Sequence, residues 1–231
     1  MKKIIICIIF ILMSTSININ ACVKIDTVDY YRFIGSWEDA FVYNYGHIKI
    51  IKPFYMDNTK QLLSPWIVYC YYSSLPQKIK ESVSEINIVD YPFPDEKRSF
   101  GTEGRVLACC ENDKITIYQN GEVDRLLFYK KDMNKEEAIL WNVELELQKL
   151  IPHEAAHAMD FKNNISSSKE WSIAVQNDYN ESKQYYVTYY SSTVKTAIED
   201  FAESVEQYIN NPEFKEKFPY RYKFIDDMLK K

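Results

Sequence analysis

The chain is 231 residues long, 46% hydrophobic, with a formal net charge of −5, which fits one domain behind a leader and is too polar for a multi-span membrane protein. Its 28 Lys and Arg are scattered beyond the first residues, so no basic tract offers itself to nucleic acid. Tyrosine is abundant (19) and glycine scarce (5), so the core is expected to lean on aromatic rings, which also suit a peptide cleft.

Lys2 and Lys3 precede an apolar run from Ile4 to Met13, then a polar stretch and Ala21. This order of charge, short apolar segment and small residue reads as a signal peptide over 1–21, leaving one domain over 22–231. Ile19-Asn20-Ala21-Cys22 also resembles a bacterial lipobox, so the chain is expected outside a bacterial cell, either released or lipid-anchored through Cys22. The mature chain keeps Cys22, Cys70, Cys109 and Cys110 with no CxxC spacing, which argues against cysteine ligation of a metal.

In chain order, residues 29–45 are aromatic-rich without clear period. His47–Ile51 reads as a strand ended by Pro53, and Pro65–Tyr72 as a second strand. Pro76–Ser84 reads as a helix with proline in its first turn. Ile86–Asp90 is a strand closed by Pro92 and Pro94, and Gly101 and Gly104 mark a loop. Arg105–Cys110 and Lys114–Tyr118 flank Asn112-Asp113 as a hairpin, with a short strand at Arg125–Tyr129. From Asn134 the apolar period becomes helical through Ala138, Ile139, Val143, Leu147, Leu150 and Ile151. Pro152 is expected to end or kink that helix and start a second over 153–161. Further helices are predicted near 168–177, over 197–210 and over 219–230, with a tyrosine-rich loop from Asn177 to Ser192. The fold class is α+β: a small mixed sheet followed by a helical half.

His153-Glu154-Ala155-Ala156-His157 is an HExxH sequence. Residues four apart lie about one turn apart on one helix face, so two imidazoles can grip one zinc ion. The glutamate beside the first histidine can then hold a water as general base. The remaining histidine, His47, reads as a packed or strand-surface residue. A catalytic zinc takes three protein ligands, and no histidine lies downstream. The metzincin glycine and third histidine are replaced by Asp160 and Asn163. A carboxylate must complete the set, and the helix over 197–210 offers Glu199 and Glu203 one turn apart.

HEAAHAMD at 153–160, EDFAES at 199–204 and PYRYKFIDDML at 219–229 resemble the catalytic domain of anthrax lethal factor and, more closely, the small secreted Pro-Pro endopeptidases of clostridia. The resemblance covers about 141–229. It implies a gluzincin-like zinc peptidase in which His153, His157 and Glu199 hold one Zn2+ and Glu154 is the catalytic base. It makes Glu203 a carboxylate that orients a ligand histidine. Asp160, on the histidine face, would do the same or cap a turn. It also implies a tyrosine aimed at the reacting oxygen, with Tyr190 the candidate and Tyr189 next. An edge strand that pairs with substrate backbone falls on Arg105, Val106, Leu107, Ala108 and Cys109. The expected activity is hydrolysis of peptide bonds in extracellular, proline-rich or host proteins by a monomer. The alternatives are a surface lipoprotein that binds peptide or metal on a peptidase scaffold without cutting, and a toxin component needing a delivery partner.

Overall fold

Alternating isoleucines build the sheet. Ile48 and Ile50, Ile86 and Ile88, and Ile115 and Ile117 stand two residues apart, so extended backbone points each pair to one face. All six are at most 2% exposed. Each such side chain contributes about 1.5–3 kcal/mol of burial free energy. The computed structural model, which describes residues 27–32, 39–53, 63–89, 107–118 and 135–230, carries them on three adjacent strands of a six-stranded mixed sheet.

The strands are β1 (Thr27–Arg32), β2 (Asp39–Tyr45), β3 (Ile48–Pro53), β4 (Glu85–Val89), β5 (Ala108–Glu111) and β6 (Lys114–Tyr118). Their spatial order is β1-β2-β3-β4-β6-β5. β3, β4 and β6 run parallel, with Ile50 opposite Ile86 and Ile86 opposite Ile115. The flanking pairs are antiparallel. The predicted β5–β6 hairpin turns at Asn112 and Asp113, with Asn112 in the left-handed region at φ 56°, where asparagine is tolerated. Among the described residues β5 pairs only with β6 and forms one edge of the sheet.

The helices are α1 (Pro65–Ser73), α2 (Gln77–Lys80), α3 (Lys135–Asn163), α4 (Lys169–Ser182), α5 (Tyr189–Val194), α6 (Ala197–Asn210), α7 (Phe214–Lys217) and α8 (Pro219–Lys230). One buried apolar cluster joins β2, β3, β4 and β6 with all of these helices except α5. The α+β expectation holds. Among the described residues no helix is long and apolar enough to cross a membrane.

Five predicted regions differ. Residues 65–72 form helix, not strand. Ser64 Oγ accepts the Ile67 N–H at 3.1 Å and Pro65 opens the first turn. Pro65, Val68, Tyr69 and Tyr72 are buried with helical spacing, so cap and burial override the strand propensity of the Ile-Val-Tyr run. The 76–84 helix is only the turn α2, because the chain must enter β4. There the Ser84 N–H donates to the Asp113 carbonyl at 2.9 Å. The 177–192 loop is partly helical: α4 runs to Ser182, and Thr188 with Ser191 builds a reciprocal capping box on α5. The aromatic 29–45 region supplies β1 and β2. Ala40 and Val42 alternate inward, but Tyr45 breaks the period.

The fifth difference is α3, a single 29-residue helix that continues through Pro152. Proline lacks the N–H that would bond the carbonyl four residues back, which orphans Gln148. The Asn210 Nδ2 group at the end of α6 donates to that carbonyl at 2.9 Å. A donor 62 residues away keeps the helix satisfied and ties α3 to α6 one turn before His153. The leader, Cys22, Pro92, Pro94, Gly101, Gly104 and the 125–129 strand lie outside the described residues.

Candidate metal centre

α3 and α6 supply the site. Ala155 and Ala156 are fully buried, and their small side chains let α3 seat closely in the core. The next face carries His153 and His157, whose rings meet edge to face with centroids 4.7 Å apart. α6 is capped by Thr196, whose Oγ1 accepts the Glu199 N–H at 3.2 Å. Glu199 therefore stands in the first turn, where the helix N-terminus favours a carboxylate.

Three ligand atoms converge. His153 Nε2 and His157 Nε2 are 3.1 Å apart, and Glu199 Oε2 lies 3.3 Å from the first and 3.6 Å from the second. A tetrahedral zinc with bonds of about 2.0–2.1 Å needs ligand atoms about 3.3 Å apart, and this triangle has that size. Glu199 Oε2 is buried against the two imidazole nitrogens with no well-aligned hydrogen bond. A carboxylate oxygen in that position fits a cation, and two imidazoles with one carboxylate suit zinc. Among the described residues, these three form the group able to hold a metal ion.

The surroundings tune this set. Glu203, one turn along α6, places Oε1 3.0 Å from His153 Nδ1, which fixes the ring and leaves Nε2 facing the centre. Burial opposes the charged form of His153. Hydrogen bonds to Glu199 and Glu203, with the charge of Glu154, nevertheless raise its pKa to about 10. Burial likewise works against ionised Glu199, but both histidines outweigh it and lower its pKa to about 2. A proton on His153 thus balances charge that a metal ion would otherwise balance.

Glu154 is buried and its pKa is raised, by desolvation first and by Glu199 in addition, with the histidines pulling the other way. Its charge also raises the Cys109 and Cys110 thiols, although burial is the larger cause there. The charge of Glu154 is therefore felt at β5 as well as at the histidines. Of the predicted substrate strand, Leu107, Ala108 and Cys109 are described. Ala108 and Cys109 are in β5, Leu107 precedes it and accepts the Tyr118 N–H at 2.9 Å, while Arg105 and Val106 lie outside. β5 packs on α3, which brings this strand beside the helix that carries the histidines. Beyond His157 the exposed Phe161 ring, 6.5 Å from it, begins a cavity of about 430 Å3 with Lys162, Asn112 and Asp113.

The tyrosine alternatives separate. Tyr190 stands edge to face with His153, centroids 6.1 Å apart, while Tyr189 is 88% exposed. Burial, then Glu199, Glu154 and Glu203, push the Tyr190 hydroxyl to about 12, so it stays a proton donor at neutral pH. Asp160 does not orient a histidine. Its two oxygens accept the Ser166 N–H and Oγ–H at 2.6 Å each, tying down the loop after α3 and leaving His157 Nδ1 unpartnered among the described residues. His47 is an exposed turn residue whose Nε2 lies 2.7 Å from the Tyr72 hydroxyl, and Cys109 and Cys110 are free thiols.

Sequence reasoning overlooked Asn210 and Arg221. Pro152 signalled the first, since its missing N–H demands a substitute donor. The second was an arginine on the apolar face of the last helix, and it is fully buried. No protein-family model matches the chain, and neither does any curated protein sequence.

Proposed function

We propose that this chain is a zinc-dependent metalloendopeptidase of the gluzincin type, acting on extracellular proteins once its leader is removed. The observation that carries the proposal is the triangle of His153 Nε2, His157 Nε2 and Glu199 Oε2, with edges of 3.1, 3.3 and 3.6 Å, beside the buried carboxyl of Glu154. Bound zinc supplies Lewis acidity, polarising the scissile carbonyl and lowering the pKa of water to about 7.

The chain's own groups do the rest. Glu154 takes a proton from the attacking water as its oxygen bonds to the carbonyl carbon. It returns that proton to the amine nitrogen as the C–N bond breaks. The raised pKa of Glu154 suits a group that must both accept and donate. The Tyr190 hydroxyl donates to the oxygen that gains charge, a role typically worth about 3–4 kcal/mol. The β5 edge pairs with the substrate backbone, and Glu203 keeps the His153 ring in register.

Peptide-library cleavage read by mass spectrometry, with a chelator control, tests this reading. The zinc-loaded protein should cut, and chelation should stop it. Glu154→Gln should keep one zinc per chain and lose about 10³-fold or more in kcat. Undiminished turnover in Glu154→Gln, or a wild type that binds peptides but never cuts them, would replace the peptidase with a binding module.

A further inference from the structure

We propose that Arg221 is a positioning residue that aims Tyr190 at the metal centre, an inference that rests on the peptidase reading above. Arg221 is fully buried. Its Nη2 donates to Asp200 Oδ2 at 3.0 Å and to the Tyr185 carbonyl, and its Nη1 donates to Asp178 Oδ2 at 3.4 Å. Asp200 Oδ1 in turn accepts the Val187 N–H at 3.4 Å. One guanidinium and its partner carboxylate therefore hold both sides of the segment 185–187. That segment leads directly into Thr188, the cap of α5, and so to Tyr190.

Packing alone does not aim this tyrosine. Tyr190 is 48% exposed, and α5 has six residues, too few to be a stable helix by itself. The ring points where its backbone points, and the backbone before it is fixed by Arg221 and Asp200. The same clamp reaches the metal ligands, because Asp200 follows Glu199 in α6. Trp171 and Phe218 flank the guanidinium, with centroids 5.9 and 5.2 Å from its carbon. Arginine's planar fork reaches three acceptors at once, which the single ammonium of lysine does not.

The test uses the full chain, wild type, Arg221→Lys, Tyr190→Phe and the double variant, with zinc content, steady-state kinetics and hydrogen exchange of the 184–196 segment. Arg221→Lys should keep one zinc, exchange faster across 186–190, and lose about tenfold in kcat with little change in KM. Tyr190→Phe should lose about 100-fold, and the double variant should resemble it, because a mis-aimed hydroxyl has nothing left to lose. Multiplying losses, or unchanged exchange with zinc retained, would overturn the role of Arg221. Should Arg221→Lys not fold, Asp200→Asn breaks the same clamp and is judged by the same exchange. A wild type without turnover would instead refute the peptidase reading, and the exchange comparison would still decide the clamp.

Discussion

Two buried ionic clusters sit back to back on α6, and they are built on opposite plans. Around His153 and His157, the carboxylates of Glu154, Glu199 and Glu203 face two imidazoles. Around Arg221, two aspartates face one permanent cation, and each aspartate also accepts backbone N–H groups. The second cluster carries its own cation and leaves only Arg221 Nε unmatched. The first sets three carboxylates against two imidazoles, with Glu199 Oε2 in no well-aligned hydrogen bond and His157 Nδ1 unpartnered among the described residues. A closed cluster holds structure together, whereas an open one of this size and chemistry could hold a metal ion. Glu199 belongs to the open cluster and Asp200, the next residue, to the closed one.

Variants on α6 sharpen this contrast. Glu199→Ala removes a direct ligand and should abolish zinc retention through purification, read by elemental analysis. Glu203→Ala removes only the group that orients His153 and should weaken zinc binding by about 10–100-fold, measured by competition with a chromophoric chelator. Should Glu203→Ala lose the metal while Glu199→Ala keeps it, the two carboxylates exchange roles. Neither change should alter the Arg221 cluster.

A smaller effect tests the join between α3 and α6. Asn210→Ala strips the Gln148 carbonyl of its donor and should cost about 1–2 kcal/mol in urea unfolding. Pro152→Ala restores the helical N–H. In its background the Asn210→Ala cost should shrink to a few tenths of a kcal/mol from the carbonyl itself. Equal costs in both backgrounds would mean that Asn210 does not stand in for the missing donor.

These contacts mark where the sequence was legible. Local signals carried far: the HExxH spacing, the Asn112-Asp113 turn, the helix over 197–210 and the isoleucine pairs of β3, β4 and β6. The two glutamates of α6 were placed because the histidines needed a partner. What escaped was decided at a distance. Pro65 to Tyr72 look like a strand until Ser64 caps them and the core takes Val68 and Tyr72 at helical spacing. Pro152 looks like a break until Asn210 reaches it. Asp160 looks like a ligand support until Ser166 folds back onto it. Arg221 gives no local hint that two aspartates await it on other helices.

The central claim is that the open cluster binds zinc through His153, His157 and Glu199. In the metal-free protein the pKa of His153 is raised from 6.5 to about 10. Its protonated form therefore stabilises the fold fully below pH 6.5, and that contribution is lost as pH rises through about 10. Zinc must displace this proton, so zinc affinity should rise with pH across the same window. Calorimetric titration of the full metal-free chain with zinc at pH 8, in buffers of different ionisation heat, tests the claim most directly. The account predicts one zinc per chain with about one proton released, and no such site in His153→Ala. Absence of binding in the wild type, or an undiminished site in His153→Ala, would contradict it.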